Sequence, residues 1–296
     1  MSYRQVETSV IIPTMASSRR ADLLRRAIRS VTTDQATKAI PIVVANGDDF
    51  DPAVLDALEA DRSIRFFYRE EGNLPKAINF GRRKVETPYF GFLDDDDEYL
   101  PGALSARLRP MLADWSVDAV VANGYWIAGD RREEVIPDID AVTADPVGAL
   151  MESNWLSSCG GLYRTDSIGI DYFDPNIRYL EWTYLAFRLA LEKRLVFVHE
   201  ATFVVNDTPS SLSKSVEYEG AIPDVLKRIL AMEMSARLRR KVRTKLSAAL
   251  HNRSNYFLRR GEMGKAWCHH ARSLNAPTAL LRYGLFTCRL ILAVLK

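Results

Sequence analysis

A chain of 296 residues that is 47% hydrophobic and 26% charged is an ordinary globular protein, with one large domain or one domain plus an appendage. Its three scattered cysteines exclude a disulfide framework and a cysteine metal site, and Met1 to Glu7 lacks an apolar signal core, so we expect a cytoplasmic protein. The net charge of +2 combines an acidic body (residues 1–215, with 24 Lys and Arg against 33 Asp and Glu) with a basic tail (residues 216–296, with 16 against 5). This asymmetry indicates an anionic partner for the tail.

Strand-like apolar runs alternate with helical patterns through the first hundred residues. The predicted strands are residues 9–14, 40–45, 64–68 and 90–93, and the predicted helices between them are residues 22–31, 52–60 and 74–85. This alternation is typical of a parallel, doubly wound α/β sheet, whose strands end at one edge. The sequence therefore places Thr14, Asn46, Glu70 and the aspartates after residue 93 along one crevice.

Four consecutive aspartates, Asp94 to Asp97, follow the fourth strand. Like charges repel, and a divalent cation such as Mg²⁺ or Mn²⁺, which takes oxygen ligands, would hold them together. In an extended segment alternate residues share a side, so we expect Asp94 and Asp96 on one side and Asp95 and Asp97 on the other. A solvated acidic loop is the alternative, but α/β sheets open their ligand crevice at strand ends, which favours a metal or phosphate site.

The usual glycine-rich phosphate loops are absent after the first strand, where neither G-x-x-x-x-G-K-[ST] nor G-x-G-x-x-G occurs. A bound diphosphate must then be neutralised by a metal and by basic side chains. This argues against a P-loop enzyme and against a dinucleotide oxidoreductase.

Four segments of this region carry recognisable motifs. They are Ser9-Val10-Ile11-Ile12-Pro13-Thr14, Val43-Val44-Ala45-Asn46-Gly47, Ala77-Ile78-Asn79-Phe80-Gly81 and Phe92-Leu93-Asp94-Asp95-Asp96-Asp97-Glu98-Tyr99-Leu100-Pro101. They resemble the motifs of glycosyltransferase family 2, and the last is close to its Phe-Leu-Asp-x-Asp-Asp-x-x-x-Pro stretch. The resemblance implies a GT-A catalytic domain over residues 1–215, with a donor half (1–101) and an acceptor half (102–215). It also implies a nucleotide-diphosphate sugar donor, a divalent metal and inversion at the anomeric carbon.

The resemblance implies that residues at the strand ends bind the donor. The implied donor-binding residues are Pro13, Thr14, Arg19, Asn46, Lys76, Asn79, Asp94 and Asp95. Asn46 would read the base edge, since an amide both donates and accepts hydrogen bonds, although the family more often has an aspartate there. Lys76 would compensate for Ile78, which stands where an arginine is expected, and Asp94 would lie near the ribose.

The resemblance also implies an Mn²⁺ or Mg²⁺ site on the donor diphosphate. Asp96 would hold the ion, with Asp97 as helper. Family members often carry a metal-ligating histidine just before a Ser-x-Ser segment, but Val205 to Ser213 contains none. Asp207 or Thr208 would substitute, and the predicted metal set is Asp96, Asp97 and Asp207.

Leu180-Glu181-Trp182 resembles the family's Glu-Asp-Trp segment at a helix start, where a carboxylate serves as base. Either Glu181 replaces the aspartate, or Glu181 matches the preceding glutamate and Trp182 stands at the aspartate position. Since Glu181 is the nearby carboxylate, we assign it the role of the base that accepts the proton of the acceptor hydroxyl. The alternative is a carboxylate that the helix dipole favours at that end.

The basic tail, residues 216–296, reads as helices, one long or broken over 225–250 and the last over 278–296. In the last helix Arg282, Arg289 and Lys296 recur every seven residues, and leucines fill much of the rest. The pattern favours a helix lying in a membrane interface over a spanning helix. The alternative is packing on the catalytic domain or on a second subunit. Without a nucleic-acid motif, we expect no nucleic-acid partner.

These observations predict an inverting glycosyltransferase that moves a sugar, expected to come from UDP, to a hydroxyl of a saccharide or lipid-linked saccharide. The expected process is bacterial surface polysaccharide or glycolipid synthesis, in the cytoplasm or on the inner face of the cell membrane. One alternative is a non-catalytic sugar-nucleotide-binding or scaffold protein. The other is a nucleotidyltransferase, which would need a glycine- and basic-rich loop after the first strand.

Overall fold

The computed structural model describes residues 7–33, 37–208, 214–276 and 279–294. The chain divides into two compact units, Met1–Ser211 and Leu212–Lys296.

The first part of unit one alternates strand and helix as the sequence predicts. Its elements are β1 Glu7–Thr14, α1 Ala21–Thr32, β2 Lys38–Asn46, α2 Pro52–Ala60, β3 Arg65–Arg69, α3 Leu74–Arg83 and β4 Tyr89–Phe92. The strands are parallel in the order β3-β2-β1-β4. Asp51 and Asn73 cap α2 and α3, each followed directly or within two residues by a proline that suits a first helical turn. The predicted parallel sheet is confirmed.

The second part of unit one makes the sheet mixed. Its elements are β5 Glu98–Tyr99, α4 Ala103–Ala113, β6 Ala119–Ala128, β7 Arg131–Glu134, α5 Ile139–Ala144, α6 Pro146–Ala149, β8 Gly161–Arg164, α7 Glu181–Glu192 and β9 Leu195–Asn206. β8 lies antiparallel between β4 and β6, β9 runs parallel to β6, and β5 and β7 add antiparallel edges. β6 and β9 extend beyond the apolar runs at 119–122 and 195–198, because pairing with each other continues past a register shift after Ala122.

The loop after β4 is a turn, where the sequence predicted an extended segment. The Asp97 N–H donates to Asp94 O at 3.1 Å, and the buried Tyr99 hydroxyl donates to Phe92 O at 2.8 Å. Four adjacent carboxylates are thus packed into a few ångströms at the end of β4. The alternation expected of a strand survives, because Asp95 and Asp97 are buried while Asp94 and Asp96 are partly exposed.

Unit two is helical. It comprises α8 Val216–Leu230, α9 Ala236–Arg259, α10 Met263–Ser273 and α11 Ala279–Val294. The predicted helix over 225–250 is two helices, because Ser235 caps a new one by accepting from the Leu238 N–H at 3.2 Å. Phe257, Ala266 and Leu290 form a small core. Within the described stretches, no helix has the length and apolar content needed to cross a bilayer.

Candidate active site

The ends of β1 and β2 meet the aspartate turn at the carboxyl edge of the sheet. Thr14 Oγ1 donates to Asp95 Oδ2 at 2.6 Å, and Asn46 Nδ2 donates to Thr14 O at 2.9 Å. Asn46 Oδ1 accepts the Asn73 N–H at 3.0 Å, which ties the edge to the start of α3. The structure thus brings together Thr14, Asn46 and the aspartates, as the sequence predicts for one crevice.

Arg20 and Arg26 are cations that lie against the aspartate turn, and the Arg26 Nη2 donates to Asp96 O at 3.0 Å. The Arg20 Nε donates to Asp95 Oδ1 at 2.9 Å, and its Nη2 contacts both Asp95 and Asp96, the latter at 3.0 Å. Burial alone would lower the pKa of Arg20, but its hydrogen bond to Asp95 and the nearby negative charges raise it. The sequence pointed to Arg19, which is exposed. The short helical turn Ser18–Arg20 directs the second arginine to the site.

Asp94 and Asp96 form the open side of the aspartate turn. Ser158 Oγ donates to Asp94 Oδ2 at 2.8 Å, and Thr208 Oγ1 donates to Asp96 Oδ2 at 2.9 Å. Burial and, next, the negative charge of Asp96 raise the pKa of Asp94 to about 7. Two carboxylates held in this mutual repulsion are suited to a bound cation, whose charge would stabilise both.

Asp97 faces the protein interior and is only 3% exposed. Its Oδ1 accepts the Asn206 N–H at 3.0 Å, and its Oδ2 lies 3.7 Å from the Cys159 Sγ donor. Burial, and then the charge of Asp94, raises its pKa well above the ordinary value. Neighbouring residues of the turn point to opposite sides, which is why Asp97 does not join Asp96.

The predicted metal set of Asp96, Asp97 and Asp207 is not assembled. Asp207 lies at the end of β9, where its N–H donates to Ile127 O at 2.8 Å. Over the described residues, no group of three or more His, Cys, Asp or Glu side chains could hold a metal ion. Carboxylates of the open side, Asp94 and Asp96, remain the oxygen donors that face the crevice.

Glu181 begins α7 after two residues in the left-handed backbone region, Tyr179 at φ 67° and Leu180 at φ 57°. For bulky residues this conformation costs about 1–3 kcal/mol each and persists only where the surroundings fix it. Glu181 Oε2 is buried and has no hydrogen-bond partner in the part of the chain that the structure describes. Burial raises the pKa of Glu181 to about 7. A strained turn therefore presents a poorly solvated carboxylate.

Glu181 lies close enough to the aspartate turn that its charge is the smallest of the contributions that raise the pKa of Asp94. The next residue, Trp182, packs its ring against Phe92, with ring centroids 5.1 Å apart. Glu181 lines a small cavity together with Phe173 and Trp182, and the four aspartates of the turn are not among the residues that line it.

The other residues predicted to bind the donor have partners within the protein. The Asn79 amide is buried and donates to Phe173 O at 2.7 Å, which links α3 to the loop before α7. Lys76 pairs with Glu71, and Pro13 is a buried residue of β1. An open cleft beside the end of β3 is lined by Tyr68, Arg69, Glu70, Glu71 and Phe80. The structure therefore places Lys76 near this cleft and uses Asn79 in packing.

The sequence did not predict several contacts made by residues around the turn. The Arg20 Nε donates to Asp95, the Ser158 hydroxyl donates to Asp94, and the Asn206 amide donates to Asp96 O at 2.8 Å. The Ser158 and Asn206 contacts join residues 64 and 110 positions apart. Local patterns carry no signal for pairs so distant.

Comparisons with known proteins agree with this architecture. The family described as Glycosyl transferase family 2 matches residues 9–161, more than half of the chain. An uncharacterized glycosyltransferase of Rickettsia typhi is 27% identical over 241 residues, which cover 76% of this chain and 73% of the relative. A Campylobacter jejuni protein named GalNAc(5)-diNAcBac-PP-undecaprenol beta-1,3-glucosyltransferase is 35% identical over 108 residues, 34% of this chain and 33% of that protein.

Among solved structures, Staphylococcus aureus TarS 1-349 in complex with UDP-GlcNAc aligns with a TM-score of 0.59 and 16% identity. The alignment covers 91% of this chain and 80% of the TarS 1-349 chain. At this identity the likeness shows the fold, and it confirms the predicted GT-A fold. The family match and the fold together lead to one conclusion: the chain belongs to glycosyltransferase family 2.

Proposed function

We propose that the protein is an inverting glycosyltransferase that moves a sugar from UDP to an acceptor hydroxyl. Family membership supports glycosyl transfer, and the likeness to TarS, solved with UDP and with UDP-GlcNAc, supports the choice of UDP. The observation that carries the proposal is Glu181: its buried Oε2 has no hydrogen-bond partner among the residues that the structure describes, and it follows a strained turn near the aspartates.

Glu181 acts as the general base. The acceptor oxygen forms a bond to the anomeric carbon while the bond from that carbon to the diphosphate oxygen breaks. The electron pair of the broken bond leaves with UDP, and the hydroxyl proton passes to Glu181. One displacement inverts the anomeric configuration. A base is most effective when its pKa lies near the working pH, and a positioned base contributes typically about 10²–10⁴-fold. A pKa of about 7 meets that requirement.

The donor diphosphate lies at the open side of the aspartate turn, where Arg20 supplies one positive charge. The donor set also fits Mg²⁺ or Mn²⁺, because Asp94 and Asp96 are two repelling carboxylates and such ions commonly use one or two carboxylates plus substrate phosphates. Asp96, with Asp94 beside it, would hold the ion. When bound, the ion neutralises charge that develops on the leaving diphosphate. Asp97 stabilises the turn from its buried side, where its carboxylate accepts the Asn206 N–H.

The acceptor is a saccharide carried on a lipid, in the synthesis of a surface polysaccharide or glycolipid. The name of the Campylobacter jejuni relative, which includes a PP-undecaprenol carrier, supports this acceptor class. Such an acceptor places the enzyme at the inner face of the cell membrane. A purely sugar-nucleotide-binding protein would have no need of the strained Tyr179–Leu180 turn, which favours the enzyme.

The test is UDP release from a panel of UDP-sugars by the purified protein, with Mn²⁺, with Mg²⁺ and with a chelator. We expect slow UDP release even without an acceptor, because water can replace the hydroxyl. Glu181→Gln should bind UDP as the wild type does and lose transfer, whereas Glu59→Gln, on the exposed side of α2, is the matched control. UDP binding without turnover by the wild type would support the non-catalytic alternative instead.

A further inference from the structure

Helix α11 exposes an apolar stripe. Leu281, Leu285 and Leu292 are 88%, 89% and 61% exposed, and Cys288 is exposed between them. Residues spaced at i, i+4, i+7 and i+11 lie on one side of a helix. We call Leu281, Leu285, Cys288 and Leu292 the outer stripe. Exposed leucines on this scale need an explanation, since a contiguous apolar patch marks an interaction site.

The opposite side of α11 already packs on its own unit. Tyr283 stacks on His251 with ring centroids 4.0 Å apart, and Phe286 lies edge-on to the same histidine at 4.6 Å. Leu290 is fully buried and packs with Phe257. Because α11 is docked through this side, the outer stripe is left over from the core of unit two.

The charges around the stripe are positive. Arg282 and Arg289 are exposed on α11, whose described residues include no Asp or Glu. Residues 216–296 carry 16 Lys and Arg against 5 Asp and Glu. On α9, Arg237, Arg240 and Lys241 are exposed and form no ion pair with any residue that the structure describes. The third basic residue of the predicted repeat, Lys296, lies outside the described residues.

We propose that the outer stripe of α11 docks on an anionic lipid bilayer. The helix lies in the interface with its leucines at the acyl boundary, and Arg282 and Arg289 contact lipid phosphates. Charge complementarity favours this partner over the same stripe of a second copy, because Arg282 and Arg289 would then meet like charges and the described residues of α11 offer no Asp or Glu to pair with them. The biological role of this docking rests on the lipid-linked acceptor proposed above, whereas the docking itself is inferred from the outer stripe.

Flotation of the full chain with vesicles tests the docking. We expect binding to vesicles of equal parts phosphatidylcholine and phosphatidylglycerol, and much weaker binding to phosphatidylcholine alone. The double variant Leu281→Gln with Leu285→Gln should lower partitioning at least tenfold, because each leucine loses its apolar transfer free energy. Arg282→Gln with Arg289→Gln should lower it roughly thirty-fold on anionic vesicles, at about 1 kcal/mol per basic residue.

Two matched controls separate the stripe from general surface properties. Trp115→Gln removes a large side chain that is 74% exposed in unit one, and Arg25→Gln with Arg131→Gln removes two exposed positive charges there. Both should float as the wild type does. Equal loss in the controls and in the stripe variants would overturn the proposal. Since the leucines are exposed, melting curves of the stripe variants should match the wild type.

A thiol probe locates the contact. The structure describes two exposed cysteines, Cys288 in the stripe and Cys268 on α10, while Cys159 is buried. With Cys268→Ser, a fluorophore on Cys288 should be quenched by a quencher carried on the lipid acyl chain; with Cys288→Ser, the probe on Cys268 should be quenched less. Equal quenching would contradict the assignment, and so would protection of Cys288 by dimerisation in the absence of vesicles.

The outcome is independent of the proposed catalysis. UDP release without a lipid acceptor should be unchanged in the stripe variants. If the wild type binds no vesicles, the docking proposal fails and the proposed glycosyl transfer still stands. If the wild type releases no UDP, the proposed transfer fails and the docking proposal still stands.

Discussion

The hydroxyl of Thr14, the last residue of β1, donates a 2.6 Å hydrogen bond to the buried carboxylate of Asp95, 81 residues further along the chain. Arg20 holds the other oxygen of the same carboxylate. The aspartate turn is therefore fixed from beneath by one neutral and one charged donor. Because Asp95 lies between them in the chain, its contacts also position the two partly exposed carboxylates, Asp94 and Asp96.

Arg20→Ala should destabilise the protein. It leaves the carboxylate of Asp95 buried with Thr14 alone, and breaking a buried pair costs about 3 kcal/mol. Urea unfolding measures the change in the free energy of unfolding. Arg19→Ala serves as the control, since this neighbour is exposed and surface substitutions usually stay within about 0.5 kcal/mol. Equal effects of the two substitutions would show that Arg20 does not fix the turn.

Transfer should rise with pH up to about pH 7 and then level off on the basic side. Burial raises the pKa of Glu181 to about 7, and only the ionised carboxylate accepts the acceptor proton. Below that pKa the rate should fall about tenfold per pH unit. The measurement is kcat/KM for the acceptor across the pH range. A profile with no inflection near neutrality would assign the base elsewhere.

Glu181→Gln should stabilise the protein at alkaline pH while removing transfer. The folded pKa of Glu181 lies above its ordinary value of 4.5, so the wild type loses stability as pH rises from that value through the folded pKa. The neutral amide escapes this loss, which amounts to about 3 kcal/mol near pH 8. Below about pH 4 the two proteins should unfold alike. Thermal or urea unfolding at both pH values checks the sign.

Asp96 and Asp97 should respond to substitution in different ways. Asp97→Ala leaves the Asn206 N–H unpaired and should cost about 1–3 kcal/mol of stability. Asp97→Asn should cost less than Asp97→Ala, because the amide keeps the shape of the side chain and an oxygen that can accept the Asn206 N–H, while burial, which raises the pKa of Asp97, disfavours its charge.

Asp96→Asn should leave the free energy of unfolding within about 1 kcal/mol and abolish the stimulation of UDP release by Mn²⁺ or Mg²⁺. A chelator added to the wild type should reproduce this loss. Unchanged stimulation in Asp96→Asn would refute the proposed metal role.

The sequence predicts the parallel half of the sheet because each of those strands is a continuous apolar run between turn residues. The ends of β6 and β9 escape prediction, since polar residues such as His199 and Glu200 interrupt the run and only pairing across the sheet extends it. Which of Arg19 and Arg20 points to the site depends on its rotational position about the axis of α1. Arg20 is the N-cap of α1 and lies four residues before the buried Leu24, on the side of the helix that faces the sheet.

In the candidate site, the motifs predicted Thr14 and the aspartates, and the structure joins them. The motifs could not predict which aspartates of the turn face the crevice and which face the protein interior. Whether Asp97 faces the crevice depends on Cys159 and Asn206, which come from two later segments. Side-chain direction at such a turn is a property of the folded core, and one-dimensional spacing does not contain it.

The ring contact between Phe92 and Trp182 has a kinetic consequence. Phe92 lies two residues before Asp94, and Trp182 directly follows Glu181. This aromatic pair therefore connects the proposed donor site at the aspartate turn with the proposed base for the acceptor. We therefore expect a shift of the Phe92 strand end to move the start of α7, and the reverse. Trimming the indole should therefore alter the Michaelis constants of both substrates together, as one correlated effect.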